Sequence, residues 1–153
     1  MNGQNAFDFL HGDWKVHHRR LKTRLATAND WYEFDGTSST RPIMGRQGNI
    51  EENLIADPNG SYHAVALRAF ESRTGLWRIW WLDQRSPSEI GVPVVGRFVG
   101  ENGEFMADDV WAGKPIKVRF VWHKRSGGSP LWEQYFSDDA GCTWELNWSM
   151  RFT

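Results

Sequence analysis

The residues in this chain able to do chemistry are a few polar side chains set among aromatic ones. Trp14-Lys15-Val16-His17-His18-Arg19-Arg20-Leu21-Lys22 reads as a strand. Successive strand side chains point to opposite faces, so if Trp14 faces inward, then Val16, His18, Arg20 and Lys22 follow it. That alternation predicts an imidazole and a guanidinium inside an aromatic interior. A histidine beside a carboxylate is an acid–base pair, and an arginine stabilises developing negative charge. Glu33 and Asp35 share a face with Trp31 on the following strand and are the expected partners of Arg20 and His18. A buried arginine needs a carboxylate, a carbonyl or an anionic ligand, because an unpaired buried charge is very costly. Three readings of Arg20 stay open: an internal salt bridge, a strand end that reaches water, and a ligand contact. Arg68 on the face of Tyr62 and Phe70, and Gln134 on the face of Trp132 and Phe136, are further inward-pointing candidates.

Other chemistries lack their usual residues. His17 and His18 are adjacent on a strand and cannot ligate one ion from it, and the same holds for Glu51 and Glu52. No H-x-H, H-E-x-x-H or C-x-x-C occurs, nor G-x-S-x-G, a Walker loop or a G-x-G-x-x-G turn. No metal and no cofactor is therefore expected. Cys142 is the lone cysteine and has no basic neighbour in sequence to lower its pKa. With 18 basic and 19 acidic residues the formal charge is −1, so no global field attracts polyanions and no nucleic-acid partner is expected. No apolar run approaches the roughly 18 residues of a membrane helix. The opening Met1-Asn2-Gly3-Gln4-Asn5-Ala6 has neither a basic nor an apolar leader region. A single soluble domain over residues 1–153, located in the cytoplasm and without a membrane partner, is the expectation.

The elements that must position these residues are strands. Glycine-bearing turns recur at short intervals, among them Asp57-Pro58-Asn59-Gly60, Glu101-Asn102-Gly103 and Ser126-Gly127-Gly128-Ser129. Between them the pattern predicts strands over 13–24, 32–40, 48–56, 62–70, 77–83, 94–99, 104–111, 116–122, 131–137 and 144–152. There is no room for crossover helices, so the strands form an antiparallel meander. Closing that meander removes both exposed edges, which predicts an all-β, closed up-and-down barrel of about ten strands, wide enough for one small ligand. The 85–93 stretch is the longest irregular segment and is placed as a lid or rim over one end. Ser137-Asp138-Asp139-Ala140-Gly141-Cys142-Thr143-Trp144 fits the Asp-box pattern S-x-D-x-G-x-T-W, whose role is a tight hairpin turn.

Phe7-Asp8-Phe9-Leu10-His11-Gly12-Asp13-Trp14 carries the F-L-x-G-x-W signature and resembles the start of lipocalin-like (calycin) barrels. It is most similar to the DUF1579-type branch of uncharacterised bacterial proteins. Phe34-Asp35-Gly36-Thr37-Ser38, the 74–83 segment and Trp132-Glu133-Gln134-Tyr135-Phe136-Ser137 agree with that likeness. The resemblance implies the barrel and makes Trp14 a plug at its bottom, while implying no particular reaction. The opening is also similar, more distantly, to nitrobindin-like haem barrels. Their C-terminal haem-ligating histidine has no counterpart here, because the last histidine is His123 and 143–153 contains none.

Ten tryptophans in 153 residues exceed what a core of this size needs. Each buries roughly 150–250 Å², worth on the order of 4–6 kcal/mol. Trp31, Trp122, Trp132 and Trp148 are the expected cavity wall, with Trp144, Leu146, Trp148, Met150 and Phe152 sharing the inner face of the last strand. In 77–83 both faces are apolar, Trp77, Ile79 and Trp81 against Leu76, Trp80 and Leu82, so one set is expected outside, covered by the 85–93 loop or by a second copy of the chain in a homodimer. Two functions follow. One is a non-catalytic protein that binds a small, largely apolar molecule, with an anionic group as an open option, through His18, Arg20, Glu33, Arg68, Trp122, Trp132, Gln134 and Trp148. The other is an isomerase, cyclase or dehydratase in which His18 and Glu33 or Asp35 shuttle protons.

Overall fold

A computed structural model describes residues 3–153. Ten strands form one closed barrel: β1 (Gly12–Leu21), β2 (Trp31–Ile43), β3 (Gly48–Ile55), β4 (Tyr62–Glu71), β5 (Leu76–Asp83), β6 (Val94–Val99), β7 (Asn102–Trp111), β8 (Lys114–His123), β9 (Leu131–Ser137) and β10 (Glu145–Phe152). Each strand pairs antiparallel with its sequence neighbours, and β1 pairs with β10 to close the ring. This is the predicted up-and-down architecture, and it leaves no sheet edge unpaired. Among the described residues no helix is long and apolar enough to cross a membrane.

One end of the barrel is sealed by the residues before β1, which make two short 3-10 turns at Gly3–Asn5 and Asp8–Leu10. Phe7 is driven into the interior, edge-on to Trp77 at 4.9 Å, Phe98 at 5.0 Å and Trp122 at 6.0 Å. Trp77 Nε1 donates to the Gly3 carbonyl (3.0 Å) and Trp14 Nε1 to the Leu10 carbonyl (2.8 Å), so two indoles pin the plug at both its ends. Trp14 therefore anchors the plug, and Phe7 and Leu10 fill the space.

The opposite end carries the 22–30, 56–61, 84–93, 112–113 and 138–144 connections. The last of these is the Asp-box turn. Asp139 accepts bonds from Ser137 Oγ, Thr143 N and Thr143 Oγ1, and the first of these hydroxyls also accepts from Gly141 N. Those bonds, led by the Thr143 hydroxyl, hold the Asp139 carboxyl down to about 2.

Strand phase departs from expectation in three places. β1 ends at Leu21 rather than at 24, freeing 22–30 as a loop. In β2 the inward residues are Tyr32, Phe34, Gly36, Ser38 and Thr40, while Trp31 lies outside beneath the Arg19 guanidinium, 4.1 Å from its ring centre. In β10 a bulge between Leu146 and Trp148 adds one residue and inverts the alternation above it. Leu146 consequently pairs with outward Tyr135, Glu145 takes the inner phase opposite Phe136, and the extra residue, Asn147, is buried. In β5, Trp77, Ile79 and Trp81 are the inner set, and Trp80 lies half-buried outside.

Because Phe7 touches rings from β5, β6 and β8 at once, Phe7→Ala is expected to cost about 3–5 kcal/mol. Urea unfolding followed by tryptophan emission checks this. A loss below 1 kcal/mol would mean that the plug is not part of the cooperative core.

Candidate functional site: a cavity at the open end of the barrel

A cavity of about 270 Å³ occupies the barrel interior beneath the loops of the open end. Its walls are the inner faces of β4, β5 and β6 to β10: Trp81, Phe120, Trp132 and Trp148 in the depth, with Tyr62, Trp111 and Phe136 nearer the mouth. Ala107, Ile116 and Val118 complete the apolar side. The 84–93 loop contributes Arg85, Gly91 and Val92 to the rim, as its placement over one end predicted. Gly91 N is bonded to the Trp81 carbonyl (3.1 Å), which ties that loop to the end of β5.

Four of the sequence candidates line the cavity: Arg20, Trp132, Gln134 and Trp148. Trp148 is held on three sides. Trp132 meets it edge-on at 5.2 Å, the Arg20 guanidinium lies 4.3 Å from its ring centre, and its Nε1 donates to His18 Nδ1 at 3.0 Å. Gln134 Nε2 donates to Asn147 Oδ1 (2.8 Å), so the bulge in β10 fixes the amide on its neighbour.

His18 stands behind this wall, 1% exposed, stacked on Phe34 at 4.6 Å with only 8° between the rings. Gly36 makes room for it: a Cβ there would meet the Leu54 carbonyl oxygen at 2.3 Å and His18 Nε2 at 3.2 Å. Since Nδ1 accepts from the indole, the ring's proton sits on Nε2. Burial, aided by the positive charge of Arg20, lowers the His18 pKa to about 4, so the ring is neutral at pH 7.

Glu33 and Asp35 are not inside. Opposite residues of an antiparallel pair share a face, and Glu33 lies opposite Arg19, Asp35 opposite His17. Their side chains are 57% and 85% exposed and both bond His17, at 3.1 and 2.8 Å. Placing Trp31 on the inner face put this strand one residue out of phase. The proton shuttle between His18 and Glu33 or Asp35 is therefore not assembled. The two adjacent histidines titrate in opposite directions: hydrogen bonds to Asp35 and then Glu33 raise the pKa of His17.

Arg20 instead reaches Asp57, whose Oδ2 lies 3.4 Å from its Nη1, and Nη1 donates to Tyr62 Oη at 2.8 Å. Asp57 Oδ2 also accepts from Tyr32 Oη (2.7 Å), while Oδ1 closes the Asp-Pro-Asn-Gly turn by accepting from Asn59 N (2.8 Å). Burial acts to raise the Asp57 pKa. The Asn59 and Tyr32 bonds and the charge of Arg20 outweigh it, leaving the carboxyl below its usual range. In sequence Asp57 reads only as a turn residue, so its second oxygen went unassigned.

Arg68 and Trp122 lie deeper, below the cavity. Arg68 is 2% exposed and donates to Glu51 Oε2 (2.7 Å) and Asn49 Oδ1 (2.9 Å), with Phe7 and Trp122 flanking its guanidinium at 5.0 and 5.4 Å. Thr40, Asn53 and Ser38 extend this polar patch along β2 and β3. Arg68 Nε, Asn49 Nδ2, the Asn53 amide and Ser38 Oγ have no protein partner. Only a void of about 20 Å³ touches the Arg68–Glu51 pair, and Trp81, Phe120 and Trp132 stand between it and the upper cavity. Lys22, placed inward by the alternation, follows the end of β1 and is exposed.

Arg24, which the sequence reading did not single out, also lines the cavity, and it does so from the 22–30 loop and not from β1. Leu25 and Thr27 in that loop are left-handed at φ 58° and 55°, a conformation that costs non-glycine residues on the order of 1–3 kcal/mol each. Glu145 Oε1 accepts from Leu25 N (2.7 Å) and Leu25 packs on the core, which holds the loop in place. Among the described residues no cluster of histidine, cysteine, aspartate or glutamate is placed to hold a metal ion. Compared with known proteins, the chain matches no protein-family model and no curated protein.

The buried His18 generates a pH dependence with a definite sign. The unfolded ring binds a proton below about 6.5, whereas the folded ring does so only below about 4. Between those values the unfolded state holds the extra proton, so folding stability falls as pH is lowered through this window, by about 3 kcal/mol in all. Urea unfolding of wild type and His18→Gln at pH 4 to 7 tests it. The difference between the two profiles should be flat above pH 6.5 and slope below it, and parallel profiles would refute the assignment.

Proposed function

We propose that the chain is a non-catalytic binding protein that takes a small, largely apolar molecule into the cavity at the open end of the barrel, with its arginines favouring a negatively charged group. The observation that carries this reading is a closed barrel plugged at one end and hollow beneath the other, where aromatic rings meet a few polar groups. At about 30 Å³ of liquid volume per water, the space equals about nine waters, and its open mouth leaves room for part of a larger molecule to project. The resemblance of the opening segment to lipocalin-like barrels agrees with it.

A passive role is favoured over catalysis by how the polar groups are engaged. The accepting nitrogen of His18 is occupied by Trp148, Arg20 is bonded to Tyr62 and Asp57, and Gln134 to Asn147. Such groups orient and rigidify a wall, and none of them is free to act as a general base. A preformed wall also lowers the ordering cost of binding.

Ala107 lines the cavity and is half-buried. Ala107→Phe should fill the space and weaken binding of naphthalene-2-carboxamide by about tenfold or more, an effect worth roughly 1.4 kcal/mol, with the fold retained by circular dichroism. Titration followed by tryptophan quenching measures this. Absence of saturable quenching in the wild type, together with native mass spectra free of any co-purified molecule, would remove the proposal.

A further inference from the structure

We infer that the molecule taken into this cavity is an aromatic carboxylate whose carboxylate is held by Arg24 at the mouth, its ring lying against Phe120, Trp132 and Trp148 below. The inference rests on the cavity being a binding site and adds the class of ligand and the residue that selects it.

Three arginines and two aspartates line the cavity, and their engagement is unequal. Arg85 makes a two-point bond to Asp83, Nε to Oδ1 at 3.0 Å and Nη2 to Oδ2 at 2.7 Å, and stacks 3.6 Å from the Tyr62 ring centre. Arg20 is taken by Tyr62 and Asp57. Asp109 accepts from the backbone N–H of Val110. Arg24 has no hydrogen-bond or ion-pair partner among the described residues. Its guanidinium lies beside a pair of touching rings, 5.1 Å from the centre of Trp111 and 5.4 Å from that of Phe136, which are themselves 5.5 Å apart.

The nearby carboxylate, Glu145, uses Oε1 to hold Leu25 N. The groups facing Arg24 are thus Arg20, Tyr32, Tyr62 and Glu145, and none of them bonds it. Burial and the charge of Arg20 lower its pKa to about 10, which still leaves it cationic at pH 7. A partly desolvated guanidinium without a hydrogen-bonding partner loses hydration for which the two ring contacts are the only return. A carboxylate at the mouth would supply two acceptors in the geometry a guanidinium prefers, and there the bonds are charge-assisted. The two rings favour the cation from one side, and the Glu145 bond to Leu25 N with the packing of Leu25 on the core holds the loop that carries it.

The test compares naphthalene-2-carboxylate with naphthalene-2-carboxamide, equal in shape and different in charge, at pH 7 by tryptophan quenching. Wild type is expected to bind the acid about tenfold or more tightly than the amide, with the preference shrinking in high salt. Arg24→Gln should bring the ratio close to one, and Arg24→Lys should keep part of it. A wild-type ratio near one, or a ratio unchanged in Arg24→Gln, overturns the inference while leaving the cavity as a binding site. If neither probe binds, the inference falls, and the binding reading falls with it where native mass spectra also show no co-purified molecule. The wild-type ratio decides even where Arg24→Gln does not fold.

Discussion

The pairing of the first strand with the last is the constraint on which everything inside this barrel depends. β1 meets β10 in the register Val16 to Phe152 through Arg20 to Trp148. That seam turns a ten-strand meander with two open edges into a ring, and closure makes alternation binding: each strand must send one residue of every pair inward. It also builds one side of the cavity wall. Trp148 is fixed at its nitrogen by His18 and on its face by Arg20, both from the strand across the seam. Three side chains from the first and last strands therefore shape one surface.

The interior divides into two environments along its length. Near the plug, a buried arginine–glutamate pair and the amides around it occupy the β2–β4 side, faced by rings from the N-terminal segment and β8. Taking such a pair out of water has a large desolvation cost, so it contributes less to stability than its short distance suggests, although removing one partner alone would leave an uncompensated charge. Toward the open end the lining becomes aromatic and space remains. Trp81, Phe120 and Trp132 form the boundary, touching the small void on one side and the cavity on the other. This partition explains why Arg68 and Trp122, correctly read as inward-facing, do not meet the residues of the upper cavity.

What was legible in the sequence was whatever depends on a period of two. Strand count, antiparallel order, the Asp-box turn and the inward placement of His18, Arg68, Trp132, Gln134 and Trp148 all follow from alternation and turn chemistry. What was not legible depends on phase and on loops. Trp31 looks like an inward residue because it is an indole, yet its ring is satisfied outside under Arg19, and that single choice carried Glu33 and Asp35 to the wrong face. The bulge at Asn147 cannot be seen in a run that alternates apolar and polar residues without interruption. Asp57 hides a second role behind a turn motif, and the end of β1 at Leu21, which leaves Arg24 on a loop, has no mark in the run of alternating residues.

Three of the indoles in the cavity wall have a consequence apart from packing. Trp148 lies edge-on to Trp132 at 5.2 Å and to Trp81 at 5.9 Å, each pair at 88°. Chromophores this close and this steeply inclined share their electronic excitations, and immobilised rings do so with a fixed handedness. The near-ultraviolet signature of the protein therefore reports on the cavity wall as well as on the fold.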